Sequence, residues 1–361
     1  MYIHIPFCRG KCPYCDFYST VFDGALADRY TDALCREIAL QSDRERLCST
    51  VYFGGGTPSL LGADRISRIT KCISDSFRLS RDCEITLEAN PLTVTYELMT
   101  ALASCGINRI SMGVQSGIDS ELRSLGRRHS CSQAADAVKI TRSAGISNIS
   151  LDLMIATPGQ TPDSLSRSVE FLASLEPAHI SSYLLKIEEG TPYHAMADSL
   201  SLPDEDMQAE LYLQSAQLLE AFGYLQYEIS NFARPNMESR HNLRYWNGDE
   251  YLGFGPAAHG FFGKKRYSYP RDIMQYIESP AAVDEGVGGT PQEYAMLRLR
   301  LTEGLTDALW RSRFGSPLPE SYIDRARRYE QHGLTRCTDS SIALTRQGFL
   351  LSNALISEII Y

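Results

Sequence analysis

Runs of β-rich, apolar sequence recur through the first half of the chain, at Tyr2–Pro6, Thr50–Gly54, Glu84–Ala89, Arg109–Gln115, Asn148–Ile155 and His179–Ile187. Between them the apolar residues return with a helical period, over Ala25–Gln41, Ala63–Ser76, Thr95–Cys105, Ser132–Ala144 and Ser164–Leu175. A longer helix, Asp204–Phe222, follows the start signal at Pro203 and Asp204. Strands alternating with helices predict an α/β fold with a parallel sheet. Right-handed crossovers would curl six such units into a partial (β/α)6 barrel, too few for an eight-fold closed one. Polar residues in such folds gather at the carboxyl ends of the strands. The sequence offers Gly54-Gly55-Gly56-Thr57-Pro58, Glu88-Ala89-Asn90-Pro91, Gly113-Val114-Gln115-Ser116 and Asp152 at those positions.

The tail from about Pro291 reads as a separate small α+β unit. It has a helix near Ser321–Gln331, a stop at Gly333, two short apolar pieces flanking Asp339-Ser340, and an amphipathic helix Gln347–Ile360. The order is winged-helix-like. Residues 300–361 balance eight arginines against seven acidic groups, which favours a packing or lid role over DNA binding. The expected divisions are 1–225 for the barrel, 226–290 for a covering segment and 291–361 for the tail.

Composition narrows the class. With 43% hydrophobic and 22% charged residues the chain is an ordinary globular protein, and a net charge of −9 disfavours a general nucleic-acid surface. No run of 18 apolar residues predicts a spanning helix, although peripheral membrane contact stays open, and no basic-then-apolar leader precedes the first strand. The expected compartment is the cytoplasm.

Ten cysteines in 361 residues are too few for a disulfide scaffold. Seven of them, Cys35, Cys48, Cys72, Cys83, Cys105, Cys131 and Cys337, stand singly and read as small packing residues. Cys8, Cys12 and Cys15 form C-x3-C-x2-C on the loop after the first strand, with Gly10 and Pro13 as turn residues. Structural zinc would want a fourth protein ligand, and no partner pair stands out. An iron–sulfur cubane held by three thiolates keeps one iron open for another ligand. Three unrelated core cysteines are the alternative.

With Tyr14 just before the last cysteine, this spacing resembles the signature of the radical S-adenosylmethionine (SAM) family. The resemblance implies a [4Fe–4S] cluster on Cys8, Cys12 and Cys15, with the open iron chelating the methionine part of SAM. The order Tyr2-x-His4-x-Pro6-Phe7-Cys8, Gly54–Pro58, Glu88-Ala89-Asn90-Pro91, Gln115, Arg127 and Asp152 is similar to the oxygen-independent coproporphyrinogen III oxidase subgroup, and within it to the heme-chaperone branch. Carried over, Tyr2, Tyr14, Gly55, Gly56, Thr57, Glu88, Gln115, Arg127 and Asp152 would line the SAM sites. Glu88 and Asp152 have a structural salt bridge as their bland reading, and Arg127 a loop cap. Two departures count against the oxidase. Phe17 stands where the oxidase has a further cysteine, and the oxidase's N-terminal extension is lacking.

Residues 233–271 carry seven basic groups against three acidic ones, interleaved with Tyr245, Trp246, Tyr251, Phe254, Phe261 and Phe262. A flat apolar ligand with carboxylate arms, such as heme, suits that mixture. His241-Asn242-Leu243-Arg244-Tyr245-Trp246 is similar to the H-N-x-x-Y-W motif of the heme-chaperone branch, which implies His241 as an axial ligand. His259 is a second candidate, and a structural loop histidine is the alternative for each. The expected function is heme carriage to an acceptor protein, with an electron donor as partner if SAM is cleaved. The rival is radical decarboxylation of coproporphyrinogen III, and a radical SAM enzyme acting on RNA is disfavoured by the charge.

Overall fold

The computed structural model describes all 361 residues. The six expected strands are β1 (Tyr2–Ile5), β2 (Asp43–Gly55), β3 (Phe77–Ala89), β4 (Arg109–Gln115), β5 (Asn148–Ile155) and β6 (His179–Leu184). They pair in parallel, in sequence order. Helices α1 (Gly24–Leu40), α2 (Ala63–Ser76), α3 (Tyr96–Ser104), α4 (Cys131–Ser143) and α5 (Pro162–Ser174) make the crossovers, and α6 (Glu205–Ala221) follows β6. Side-chain caps begin them where the sequence places Asp23, Thr95, Ser130, Thr161 and Asp204.

The sheet has nine strands rather than six. Leu225–Gln226 (β7) and Asn231–Ala233 (β8) add antiparallel pairs beside β6, while Gly253–Phe254 (β9) lies parallel to β1 at the other edge. Segment 226–290 therefore contributes strands to the barrel as well as a three-stranded antiparallel sheet of its own, His259–Phe262 (β10), Lys265–Ser268 (β11) and Val283–Val287 (β12). Strands of two or three residues leave too short a pattern to be read from sequence.

Alternation within the strands decides what the barrel can do. Ile3, Ile5, Val51, Phe53, Leu87, Ile110, Met112, Val114, Ile149, Leu151, Leu153 and Ile180 are fully buried in one core with the helices. The residues between them are Tyr2, His4, Thr50, Tyr52, Thr86, Glu88, Arg109, Ser111, Ser150, Asp152, His179 and Ser181. Side chains alternate faces along a strand, so this polar set shares the concave face. A parallel sheet buried on both faces ordinarily carries apolar residues on both. Here one face is a polar lumen, and its interior hydrogen bonds, such as Ser150 Oγ to His179 Nδ1 at 2.7 Å, hold it in place.

Residues from Pro291 form the tail unit, with helices α8 (Pro291–Arg298), α9 (Asp307–Phe314) and α10 (Glu320–Arg327) and an antiparallel sheet of Leu305–Thr306, Ser341–Leu344 and Thr335–Thr338. The single final helix expected from the pattern is two, Arg346–Leu350 and Ser352–Ile360. Arg346 pairs with Glu220 of α6 at 3.0 Å, and Arg313 donates to the carbonyl of Asn247 at 3.2 Å, so the tail packs against the barrel.

Candidate functional site

The cysteine loop leaves the carboxyl end of β1, and its base is pinned by backbone. Thr20 N–H donates to the Pro6 carbonyl at 2.7 Å and Phe22 N–H to that of Cys8 at 2.9 Å. The glycine run after β2 ties in from the side, with Gly56 N–H on the Ile5 carbonyl (2.9 Å) and Thr57 N–H on the Phe7 carbonyl (2.7 Å). A Cβ on Gly56 would lie 2.6 Å from the Phe7 carbonyl oxygen, and one on Gly55, at φ +111°, would lie 2.7 Å from the His4 ring. These glycines are thus required by the approach of two backbones, whatever else they bind. Within the loop, Cys15 N–H donates to the Cys12 carbonyl at 3.1 Å, closing a turn with Pro13 at its second position.

All three thiols are half-buried, and burial pushes the Cys15 thiol up. Cys8 Sγ lies 3.6 Å from Thr57 Oγ1, and Arg127 Nη1 points at Cys12 Sγ from 3.7 Å. The sulfurs are not gathered with other His, Cys, Asp or Glu groups into a site for a single ion. A cubane spaces its thiolates farther apart than one ion does, and three thiols on one turn-rich loop are the donor set such a cluster takes. Arg127 is anchored by Nη2 on the Gly113 carbonyl at 2.6 Å, while its buried Nε has no partner. Tyr14 packs edge-on to Tyr193 at 6.2 Å, with its phenol beside Arg127 and Cys12, and burial raises it. A cleft lined by Cys12, Thr57, Asn90, Gly126 and Arg127 opens beside the loop.

Inside the lumen, Glu88 accepts from Tyr52 OH (2.8 Å) and Gly55 N–H (3.1 Å), and burial raises its carboxyl to about 7. Asp152 accepts from Ser111 at 3.4 Å; burial lifts it to about 6, against the pull of Arg109. Tyr2 stacks on Tyr52 at 6.2 Å and shares a hydrogen bond with His4 Nδ1 at 3.0 Å. Gln115 ends β4 at φ +76°, beside the register shift between Gly113 and Gln115. A bulge with one left-handed, non-glycine residue re-aims a side chain at a cost in backbone strain. The structure thus brings Tyr2, Glu88 and Gly55 together, places Asp152 across the lumen, and sets Arg127 and Tyr14 against the cysteine loop.

Tyr52 and Arg109 also face the lumen, beyond the residues expected there from sequence. Arg109 is the largest fully buried side chain, and its Nε has no partner. The period-two alternation of strands in a parallel sheet was the signal that marked both.

His241 sits at the other end of the barrel, on a short helix, α7 (Arg240–Trp246), rather than on a loop. It is 1% exposed. Nδ1 meets Thr50 Oγ1 at 2.9 Å, Nε2 meets Tyr245 OH at 2.8 Å, and the ring stacks on Tyr52 at 5.1 Å. Both ring nitrogens are engaged by hydroxyls, so iron at either would displace one of those hydrogen bonds. Burial also holds its pKa well below the usual histidine range. His259 is exposed on β10, 3.3 Å from Glu285.

A cavity of about 380 Å³ opens at this lower end, lined by Met1, Arg46, Cys48, Thr50, Phe77, His241, Arg244, Tyr251 and Phe262 among others. Arg46 lies over the Phe262 ring at 3.8 Å. Two pairs among the cysteines expected to stand singly are in contact. Cys48 and Cys83 lie beside each other on neighbouring strands, and the Cys72 thiol donates to the Cys35 carbonyl at 3.2 Å between α1 and α2.

Comparison with known proteins now decides the family. Residues 2–172 match the radical SAM superfamily and residues 291–351 the HemN C-terminal domain. Heme chaperone HemW of Bacillus subtilis is 34% identical over 98% of this chain and 96% of its own. HemW of Mycobacterium tuberculosis (strain H37Rv) is 35% identical over 100% and 94%. The chain belongs to the HemW family of radical SAM proteins. Its fold matches coproporphyrinogen III oxidase (HemN) of Escherichia coli with a TM-score of 0.86 over 99% of this chain and 89% of that one, at 23% identity. The superfamily's cofactors are a [4Fe–4S] cluster and SAM, which the thiol set of the loop and the carboxylates of the lumen suit. No helix is long and apolar enough to cross a membrane.

Proposed function

We propose that this protein is a heme carrier that holds a [4Fe–4S] cluster on Cys8, Cys12 and Cys15 and SAM in the upper lumen, and passes heme to an acceptor protein. The observation that carries the reading is the cavity at the barrel's lower end, which the H-N-x-x-Y-W segment helps to line. Flat rings at Phe77, Tyr251 and Phe262 with Arg46 and Arg244 among them suit an apolar macrocycle with two carboxylate arms. Its volume lies in the range typical of small-ligand pockets.

In the upper site Glu88 and the carbonyls of the glycine run would take the SAM ammonium, whereas the N–H groups of Gly55, Gly56 and Thr57 are already engaged. Arg127 would take the SAM carboxylate, and Asp152 the ribose hydroxyls. When bound, cluster and SAM supply one-electron chemistry; the chain's own residues position them and exclude water. Phe17, 67% exposed, offers no thiol at the position where the related oxidase has one.

The test is to reconstitute the cluster anaerobically, then measure stoichiometric heme uptake by its Soret band alongside conversion of coproporphyrinogen III with SAM. Stable uptake with transfer to apo-acceptor, and no conversion, is expected. Conversion without stable heme binding would replace the carrier reading by the oxidase one.

A further inference from the structure

We propose that the outer face of the cysteine loop is the docking surface for a small acidic electron-transfer protein; this rests on the reading that Cys8, Cys12 and Cys15 hold the cluster. Two independent observations meet on this face. The first is charge. Arg9, Lys11 and Arg128 are exposed, and none of them forms an ion pair or a side-chain hydrogen bond, in a chain of net charge −9. The Arg128 guanidinium lies against Gly10, 3.0 Å from where a Cβ there would sit, so it joins the two cations of the loop. The only acid between Cys8 and Thr20, Asp16, is taken by Arg271 at 3.5 Å, which leaves the three cations uncompensated. The second observation is apolar exposure. Phe17 is 67% exposed and Val21 is 68% exposed, and Val21 pairs in register with Cys8, next to Arg9. Met274, also exposed, follows Ile273, whose N–H donates to Tyr18 OH at 2.8 Å. Apolar side chains left in water beside unpaired cations make a protein interface in which contact holds the partner and charge steers it.

Charge complementarity selects the occupant. A second copy of this chain would set the same face against itself in a symmetric contact, and the cations would repel. A heme acceptor would have to reach the cavity at the opposite end of the barrel. In the proposed arrangement SAM takes the lumen side of the cluster, so an electron arrives through the loop from outside. The transfer balances between two redox centres: the partner's loses one electron, the cluster gains it, and no proton or covalent bond moves.

The experiment uses the full chain with its cluster reconstituted, and two probes, an acidic flavodoxin and an acidic ferredoxin. Affinity is measured by titration with each oxidised probe at low and at higher salt. Electron delivery is measured as bleaching of the cluster's visible band on mixing with each reduced probe. Wild type is expected to bind at least one probe, more weakly as salt is added, and to be reduced by it. The triple variant Arg9→Glu, Lys11→Glu, Arg128→Glu is expected to lose roughly tenfold or more in both affinity and rate. Its iron and sulfide content and its reduction by dithionite should match wild type. Phe17→Ser with Val21→Ser is expected to weaken binding several-fold while keeping the salt dependence. Arg328→Glu, an exposed cation of the tail, is expected to change nothing. Binding of neither probe by wild type, or unchanged binding in the triple variant, would overturn the assignment. If charge reversal disturbs the cluster, the apolar double variant decides, and unchanged affinity in it would equally overturn the surface. A dimer in sedimentation that the triple variant abolishes would overturn it too, by making this face a contact between copies. Failure of wild type to hold iron and sulfide would overturn the cluster reading instead.

Discussion

The two ends of the barrel are built from the same strands yet treat their polar groups in opposite ways. At the carboxyl ends, groups are held in place but left with capacity. Arg127 is anchored by one nitrogen while its Nε has no partner, the three loop thiols are half-buried, and Asp152 accepts a weak bond from Ser111 with Ser181 beside it. At the amino ends His241 is closed on its neighbours, although Arg109 Nε and Trp246 Nε1 are buried there without partners. His241 bonds to Thr50 and Tyr245, and its backbone N–H donates to Glu84 at 3.0 Å. A buried group with unmet hydrogen-bonding capacity costs stability unless a ligand completes it, whereas a saturated one repays its burial as structure. Unmet capacity therefore marks the upper end for binding, while at the lower end the cavity beside His241, rather than the histidine's own hydrogen bonds, supports it. Tyr52 joins the two, stacking on His241 below and donating to Glu88 above.

The comparison breaks most sharply at the cysteine loop. Cys12→Ser is expected to remove the iron–sulfur absorbance entirely, checked by iron and sulfide content, while heme uptake at the lower end continues. Loss of both together would mean that the ends are one site. A smaller effect is expected at the hinge between loop and sheet. Gly56→Ala drives a Cβ against the Phe7 carbonyl, and overpacking of this kind costs about 1–3 kcal/mol, read as a lower denaturation midpoint with poorer cluster incorporation.

At the lower end, Thr50→Val leaves His241 Nδ1 buried and unpaired. The expected loss is about 1–3 kcal/mol in urea unfolding, with cluster content unchanged. A fully stable variant would show that the histidine is less committed to structure than its contacts say.

The subtlest effect is in pH. Glu88 is raised from 4.5 to about 7 in the folded protein, so between those values the native state holds a proton that the unfolded chain has lost. Stability contributed by protonated Glu88 is complete below about 4.5 and falls as pH rises through 7. Glu88→Gln is expected to flatten that part of the stability profile. For SAM the sign reverses, because its ammonium is held by the ionised carboxylate: wild-type affinity should strengthen as pH rises through about 7, and the Gln variant should bind weakly at every pH. Equal pH profiles for wild type and variant would remove Glu88 from the site.

Much of this was legible in the chain because each signal was local. The six long strands and their crossover helices have the period of their own secondary structure, and the three loop cysteines sit within eight residues of one another. The glycine run reads as a ligand contact in sequence, and its sterics show a packing requirement as well, which depends on β1 lying alongside. The short edge strands at 225–226, 231–233 and 253–254 carry too few residues for a pattern and exist because a sheet edge was there to receive them.

By itself, then, the sequence determined the fold class, the cluster loop and the polar residues at the strand ends, since periodicity and spacing are properties of a chain. Tertiary structure alone decided which donors are spent and which are free. Hydrogen bonding between residues 191 positions apart closes His241 on its neighbours. Saturation of a polar group depends on partners brought together only by folding, and no local pattern records it.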